Sequence, residues 1–138
     1  MGSKTRLFYR ITLTTKYRKN ALAGIEQQVY AAFREIEKHS SFEILAMGIE
    51  HGNHIHIVIK SPPQFSVAGL VNRLQGYSLK HLWDSEPEHL SRFYWGSKRK
   101  LWHGGYHCDT VGRVSKEDIL RYVQSQDGDP EKVIHQRG

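Results

Sequence analysis

The order of patterns along this 138-residue chain predicts an α+β fold of the ferredoxin-like (RRM-like) kind, an antiparallel sheet with helices on one face. Strand-like and helix-like stretches follow one another as β-α-β-β-α-β-α. Two of the strands are separated only by a tight turn, which demands antiparallel pairing. The clearest strand puts Ile55, Ile57 and Ile59 on one face and His54 and His56 on the other, as a sheet with its core on one side requires.

Each element has its own signal. Leu7 to Thr15 (LFYRITLTT) is rich in β-branched and aromatic residues in rough alternation and reads as the first strand. Gly24 opens a helical pattern in which Ile25, Val29, Phe33 and Ile36 recur at three- and four-residue steps, ending near His39-Ser40-Ser41. Phe42 to Glu50 (FEILAMGIE) reads as the second strand, and His51-Gly52-Asn53 as a turn whose Gly and Asn tolerate positive φ. His54 to Lys60 (HIHIVIK) is the third strand, stopped by Ser61-Pro62-Pro63. Phe65 to Trp83 is the second helix, with Val67, Leu70, Leu74, Leu79 and Leu82 on its apolar face and Gly76 weakening it locally. Pro87 to Trp95 adds a short helical turn, and Lys98-Arg99-Lys100 is a basic loop. Leu101 to Val111 carries the last strand, broken by Gly104-Gly105. Ser115-Lys116-Glu117-Asp118 resembles a capping box with Asp in place of Glu or Gln, and it opens a final helix over about 115–126. The polar stretch 127–138 reads as a loose tail.

Composition narrows the class. The length suits one domain over residues 1–138, and 38% apolar with 11% aromatic residues is too rich for disorder. The lone Cys108 excludes an internal disulfide framework and a multi-cysteine metal site, and fits a reducing cytoplasm. No apolar run reaches the ~18 residues of a membrane span, and the N-terminus lacks the apolar stretch of a signal peptide. Twenty Lys and Arg against 14 Asp and Glu leave a charge of +6, which favours a polyanionic partner. The chain also carries nine histidines.

Side chains alternate along a strand, so His54 and His56 share the face opposite Ile55, Ile57 and Ile59. The isoleucine face is core, and the other offers two imidazoles about 7 Å apart along the pleat. They are either half-exposed strand histidines bonded to their neighbours or two ligands of one metal ion awaiting a third. On the last helix, Tyr122 and Gln126 stand at i and i+4 on the face that carries Ile119 and Val123. Were that face to meet the histidines, a phenol oxygen able to attack a phosphodiester and an amide oxygen able to bind a hard cation would converge there. A boundary tyrosine and a solvated glutamine explain the same helix more plainly. Lys16, Arg18, Lys98, Arg99 and Lys100 lie among Tyr17, Trp95, Trp102, Tyr94 and Tyr106, with Arg73 and Lys80 on the second helix. Cations that neutralise phosphates beside rings that stack unpaired bases suit single-strand or hairpin binding, although a solvated face accounts for them equally well.

Lys16-Tyr17-Arg18, His54-Ile55-His56-Ile57-Val58-Ile59, Trp102, Tyr106, Val111-Gly112-Arg113-Val114-Ser115 and Tyr122-Val123-Gln124-Ser125-Gln126 occur in one order from about Tyr9 to Gln126. In these motifs the chain resembles the IS200/IS605-family transposases, small members of the HUH (His-hydrophobic-His) nuclease superfamily. Asn53 stands where the family commonly has Asp before the first histidine, and Gln75 precedes Gly76 where a Lys-Gly pair is usual.

The resemblance implies an HUH nuclease fold and a metal-dependent cleavage and rejoining of single-stranded DNA. His54, His56 and Gln126 would hold Mg²⁺ or Mn²⁺, and Tyr122 would form a 5′-phosphotyrosine link. The implied partners are hairpin ends of an insertion sequence and a second copy of the chain, in a homodimer whose tyrosine helices complete each other's sites. No membrane and no nucleotide cofactor enter this scheme, and the implied setting is the prokaryotic cytoplasm. A non-catalytic single-strand-binding module, a related HUH endonuclease of the replication-initiator or relaxase type, and a domesticated relative are the alternatives.

Overall fold

Burial alternates along Leu7–Thr14, with Tyr9, Ile11 and Leu13 inside, and this stretch forms β1. The computed structural model describes residues 6–112 and 127–128. A short 3-10 turn, Lys16–Arg18, leaves β1 and leads to α1, Glu26–Lys38. This helix turns Val29, Tyr30, Ala32, Phe33 and Ile36 to the core, the three-and-four spacing of the sequence. Strands β2 (Glu43–Glu50) and β3 (His54–Ser61) make a hairpin. Helix α2 (Val67–Ser85) starts at Ser66, whose hydroxyl accepts from the Gly69 N–H, and α3 (Pro87–Ser91) follows with Pro at its first turn. Strand β4 is His107–Val111, and the two residues Asp127–Gly128 form β5.

The sheet order is β4-β1-β3-β2-β5, and each neighbouring pair is antiparallel. The first four strands with α1 and α2 are the expected ferredoxin-like βαββαβ arrangement. Ile55, Ile57 and Ile59 are all fully buried, within one core that also takes Ile11, Leu13, Phe33, Leu70, Leu74 and Leu82. Burial of such side chains contributes roughly 1.5–3 kcal/mol each.

Three expectations need correction. The last strand is shorter than the sequence pattern suggested: Trp102 makes only an isolated bridge to Thr15, and regular pairing begins at His107. Trp102 instead reads as apolar because it is a core residue, packed on Phe33 at 6.2 Å with its indole N–H donating 2.9 Å to the buried Ser78 hydroxyl. Asp127 and Gly128, read as the start of a loose tail, pair with Ile49 and Gly48 on the outer edge of β2. In the β2–β3 turn the positive φ angles belong to His51 and Gly52 rather than to Gly and Asn. The helix expected over 115–126, with Tyr122 and Gln126, lies outside the described residues.

Candidate active site on the histidine face of the sheet

The register of the sheet assembles the site. His56 stands opposite Thr12 of β1 and Gly48 of β2, and His54 opposite Thr14 and Glu50. Directly paired residues share a face, so these side chains lie on the surface turned away from the isoleucine core. The two imidazoles stand almost parallel, 6° apart in plane with centroids separated by 6.4 Å.

Each ring is oriented by a hydrogen bond. His54 Nδ1 bonds the Asn53 side-chain oxygen. The amide at position 53 therefore provides the acceptor that a carboxylate would, and the departure from Asp costs this contact nothing in geometry. His56 is held at both nitrogens: Nδ1 lies 2.9 Å from the Thr12 hydroxyl and Nε2 lies 3.1 Å from Glu50 Oε1. With Nε2–H donating to the carboxylate, the lone pair of Nδ1 faces the Thr12 hydroxyl, so a cation would bind His56 at Nδ1 in place of that hydroxyl. The hydrogen bond from His56 holds the Glu50 carboxyl below the usual carboxylate range, against a smaller opposing effect of burial. Burial, then the charges of His56 and Arg18, push the His54 pKa down and favour its neutral, ligating form.

Glu50 was not among the residues singled out from the sequence. Its signal was the spacing Glu50-His51-Gly52-Asn53-His54: a turn this tight puts the last residue of one strand on the same face as the first residue of the next. The Glu50 carboxylate passes its direct partner His54 and reaches the diagonal neighbour His56. Further along the same face Phe8, Leu45, Ala46 and Val58 form a small second apolar cluster.

Among the described residues no three His, Cys, Asp or Glu side chains are gathered so as to hold a metal ion. The chemistry of the pair fits one once His56 Nδ1 exchanges the Thr12 hydroxyl for it: two imidazole nitrogens suit a divalent first-row cation, with further ligands coming from elsewhere.

The nominated cations divide into groups. Lys16 and Lys100 meet around Tyr17, with their ammonium groups 5.7 and 5.8 Å from its ring centre, while the Arg18 charge acts on His54. The Arg18 carbonyl accepts from the Asn53 side chain at 3.3 Å, which brings this cluster to the head of the histidine strand. Lys98 is exposed in the following loop. Arg73 is committed elsewhere: its guanidinium donates to the Ser40 hydroxyl at 2.9 Å and the His39 carbonyl at 3.0 Å, at the C-terminal end of α1. Lys80 and Arg99 both bind Asp84, at 3.2 and 3.4 Å. Gln75, which replaces the usual lysine, donates to the His103 carbonyl at 3.1 Å.

An antiparallel sheet of this order, with two histidines two residues apart on the face opposite its main core, has the fold of the HUH class. The chain belongs to the IS200-like transposase family, whose model ("Transposase IS200 like") matches residues 3–126. It is 26% identical to the ISDra2 transposase TnpA of Deinococcus radiodurans over 126 residues, 91% of this chain and 87% of that protein. It is 28% identical to the transposase for insertion sequence element IS200 of Salmonella typhimurium over 119 residues, 86% of this chain and 75% of that one. A crystal structure of a protein assigned as a transposase from Deinococcus radiodurans superposes with a TM-score of 0.71 at 25% identity, covering 91% of this chain and 95% of that one. A REP-associated tyrosine transposase bound to a REP hairpin shares the fold, with a TM-score of 0.56 at 14% identity over 89% of this chain and 68% of that one. Among the described residues no helix is long and apolar enough to cross a membrane.

Proposed function

We propose that this transposase cleaves and rejoins single-stranded DNA at the ends of an insertion sequence through a 5′-phosphotyrosine link to Tyr122, in the prokaryotic cytoplasm. The observation that carries the reading is the parallel pair His54 and His56 on the sheet face opposite the main core, each oriented by a hydrogen-bonded neighbour. A pair held in this way is what metal-assisted phosphoryl chemistry needs and what a plain binding surface does not.

His54 and His56, joined by Gln126, would hold Mg²⁺ or Mn²⁺. When bound, the cation draws negative charge from the scissile phosphate. The Tyr122 oxygen attacks phosphorus, the bond from phosphorus to the 3′ oxygen breaks, and the leaving oxygen takes a proton to become a free 3′-hydroxyl. A 3′-hydroxyl from another strand then attacks the phosphotyrosine, restores a phosphodiester and returns the tyrosine. One ester bond replaces another at each step, so no nucleotide is consumed. Asn53 and Glu50 act through the histidines by holding ring orientation, and Thr12 would give up its place on His56 to the cation. Two chains work as a homodimer on hairpin ends, each supplying the tyrosine helix of one site.

The test is an SDS-resistant adduct between the protein and labelled single-stranded hairpin DNA in the presence of Mg²⁺ or Mn²⁺. The adduct is expected with the unmodified chain and absent with Tyr122→Phe. His56→Ala is expected to abolish cleavage while hairpin binding survives. An adduct that persists in Tyr122→Phe removes the tyrosine from its role, and loss of folding in His56→Ala would make that histidine structural.

A further inference from the structure

We infer that Tyr17 and Trp95 form a stacking platform for unpaired bases of a single DNA strand, with Lys16 and Lys100 placed to meet its phosphates and Lys19 steadying the Trp95 ring. The inference rests on the reading of the chain as a single-strand transposase and adds the surface that receives the strand beside the histidines.

Both rings are held out of the core. Tyr17 is 64% and Trp95 69% exposed, whereas the neighbouring aromatics Tyr94 and Trp102 are buried. The outward course of Tyr17 is imposed by its backbone. Tyr17 has φ 60 and ψ 16, and Arg18 follows with φ 53, so two consecutive residues other than glycine stand in the left-handed region. Such a conformation is unfavourable for L-residues and persists only where the surroundings fix it. Here the Lys16 N–H donates to the Leu101 carbonyl at 2.7 Å, the Tyr94 hydroxyl donates to the Lys16 carbonyl at 2.8 Å, and Asn53 donates to the Arg18 carbonyl. The fold spends hydrogen bonds from three segments on keeping a tyrosine in solvent.

Cations attend each ring. Besides the Lys16 and Lys100 ammonium groups at Tyr17, Lys19 Nζ sits 4.4 Å from the Trp95 ring centre. It is fixed there by donating 2.9 Å to the Phe93 carbonyl. Exposed π faces bordered by ammonium groups suit a ligand with a flat apolar face and a nearby negative charge, repeated along a chain. An unpaired nucleotide strand has both. Paired bases in a duplex hide their faces, and an acidic peptide would engage the lysines while leaving the rings unused. The Asn53 contact with the Arg18 carbonyl ties the Tyr17 end of the platform to the residue before His54, so a strand lying on it runs towards the candidate active site.

The test uses the full chain carrying Tyr122→Phe, which blocks covalent capture, titrated with a labelled unpaired thymidine oligonucleotide and with a fully paired hairpin stem. Tyr17→Ala and Trp95→Ala should each weaken single-strand binding about tenfold or more. Tyr17→Phe and Trp95→Phe should stay within about twofold of the parent, because the π face is kept. Stem binding, thermal melting and the salt dependence of single-strand binding should be unchanged. Equal single-strand affinity in the alanine variants overturns the platform, as does an equal loss on the paired stem. Adduct formation in the Tyr122 background separates the two ideas. An adduct formed by a Tyr17→Ala, Trp95→Ala double variant with undiminished single-strand affinity removes the platform and keeps the transposase reading. Single-strand affinity that depends on both rings, without any adduct, keeps the platform and removes the phosphotyrosine.

Discussion

His56 lies between a hydroxyl on one strand and a carboxylate on another, and that geometry assigns Glu50 a positioning role. Glu50→Gln keeps the shape and an acceptor oxygen but removes the charge that strengthens the hydrogen bond. The Glu50 side chain is 44% exposed, so the loss in stability should be under about 1 kcal/mol. Loss of an orienting partner of a metal ligand typically costs 10–100-fold in affinity or activity, and adduct yield against Mn²⁺ concentration should fall by about that factor. An unchanged metal dependence would leave Glu50 an ordinary edge carboxylate. The pH dependence has a definite sign. The folded-state pKa of Glu50 is lowered from 4.5, so its contribution to stability is full above that value and is lost as pH falls through the lowered one. The melting difference between the parent and Glu50→Gln should therefore be constant near neutral pH and shrink only in acid. At this scale the histidine pair was legible because a two-residue period is a local property of one strand. Glu50 and Thr12 were not, because their part depends on which residues the neighbouring strands bring opposite His54 and His56.

The β2–β3 hairpin shows the same division between local signal and packing. Its three-residue loop, His51 to Asn53, carries two consecutive left-handed residues, His51 at φ 57 and Gly52 at φ 68, and the Asn53 N–H closes it on the Glu50 carbonyl at 3.3 Å. The Gly52 carbonyl accepts from the Leu22 N–H at 2.9 Å, so the turn is docked on the segment before α1. A Cβ at position 52 would lie 3.0 Å from the Ala23 Cβ and 3.4 Å from the Ala23 nitrogen. Gly52→Ala should accordingly destabilise the protein by about 1–3 kcal/mol, read as a lower urea midpoint with unchanged m. A change smaller than about 0.5 kcal/mol would mean that the turn relaxes freely. Strands β1, β2 and β3 and helices α1 and α2 were legible within a residue or two because period and stop signals coincide in them. The last strand was overdrawn because an apolar Leu101-Trp102 pair has the same composition in a strand as in a core loop. The edge pairing of Asp127 and Gly128 had no local signal, since the carbonyl and N–H groups that recruit them belong to β2.

Across the molecule, the net charge of +6 overstates the surface free to meet a polyanion. Of the seven cations nominated as DNA contacts, Arg73 is bonded at the end of α1, while Lys80 and Arg99 are bound to Asp84. The hydrogen bond and charge of Lys80, then those of Arg99, hold the Asp84 carboxyl below its ordinary range, so this acid stays ionised as the partner of both. Among the described residues Lys16, Arg18, Lys98 and Lys100 make no ion pair, and Lys16 and Lys100 flank Tyr17 beside the histidine strand. Single-strand affinity falls with salt by a slope of about −0.7 per neutralised phosphate. Four such contacts give a slope near −3, and all seven give one near −5, by the same relation. We expect the titration of the Tyr122→Phe chain with an unpaired oligonucleotide to fall near the smaller value. Lys100→Gln should reduce the slope by about 0.7, whereas Lys80→Gln should leave it where it was. A slope near −5, or an equal response to both substitutions, would bring the helix-side cations into the strand path and extend the interface around the edge of the sheet. The smaller slope confines the DNA to the end of the sheet where β1 leaves, β3 begins and the two imidazoles stand.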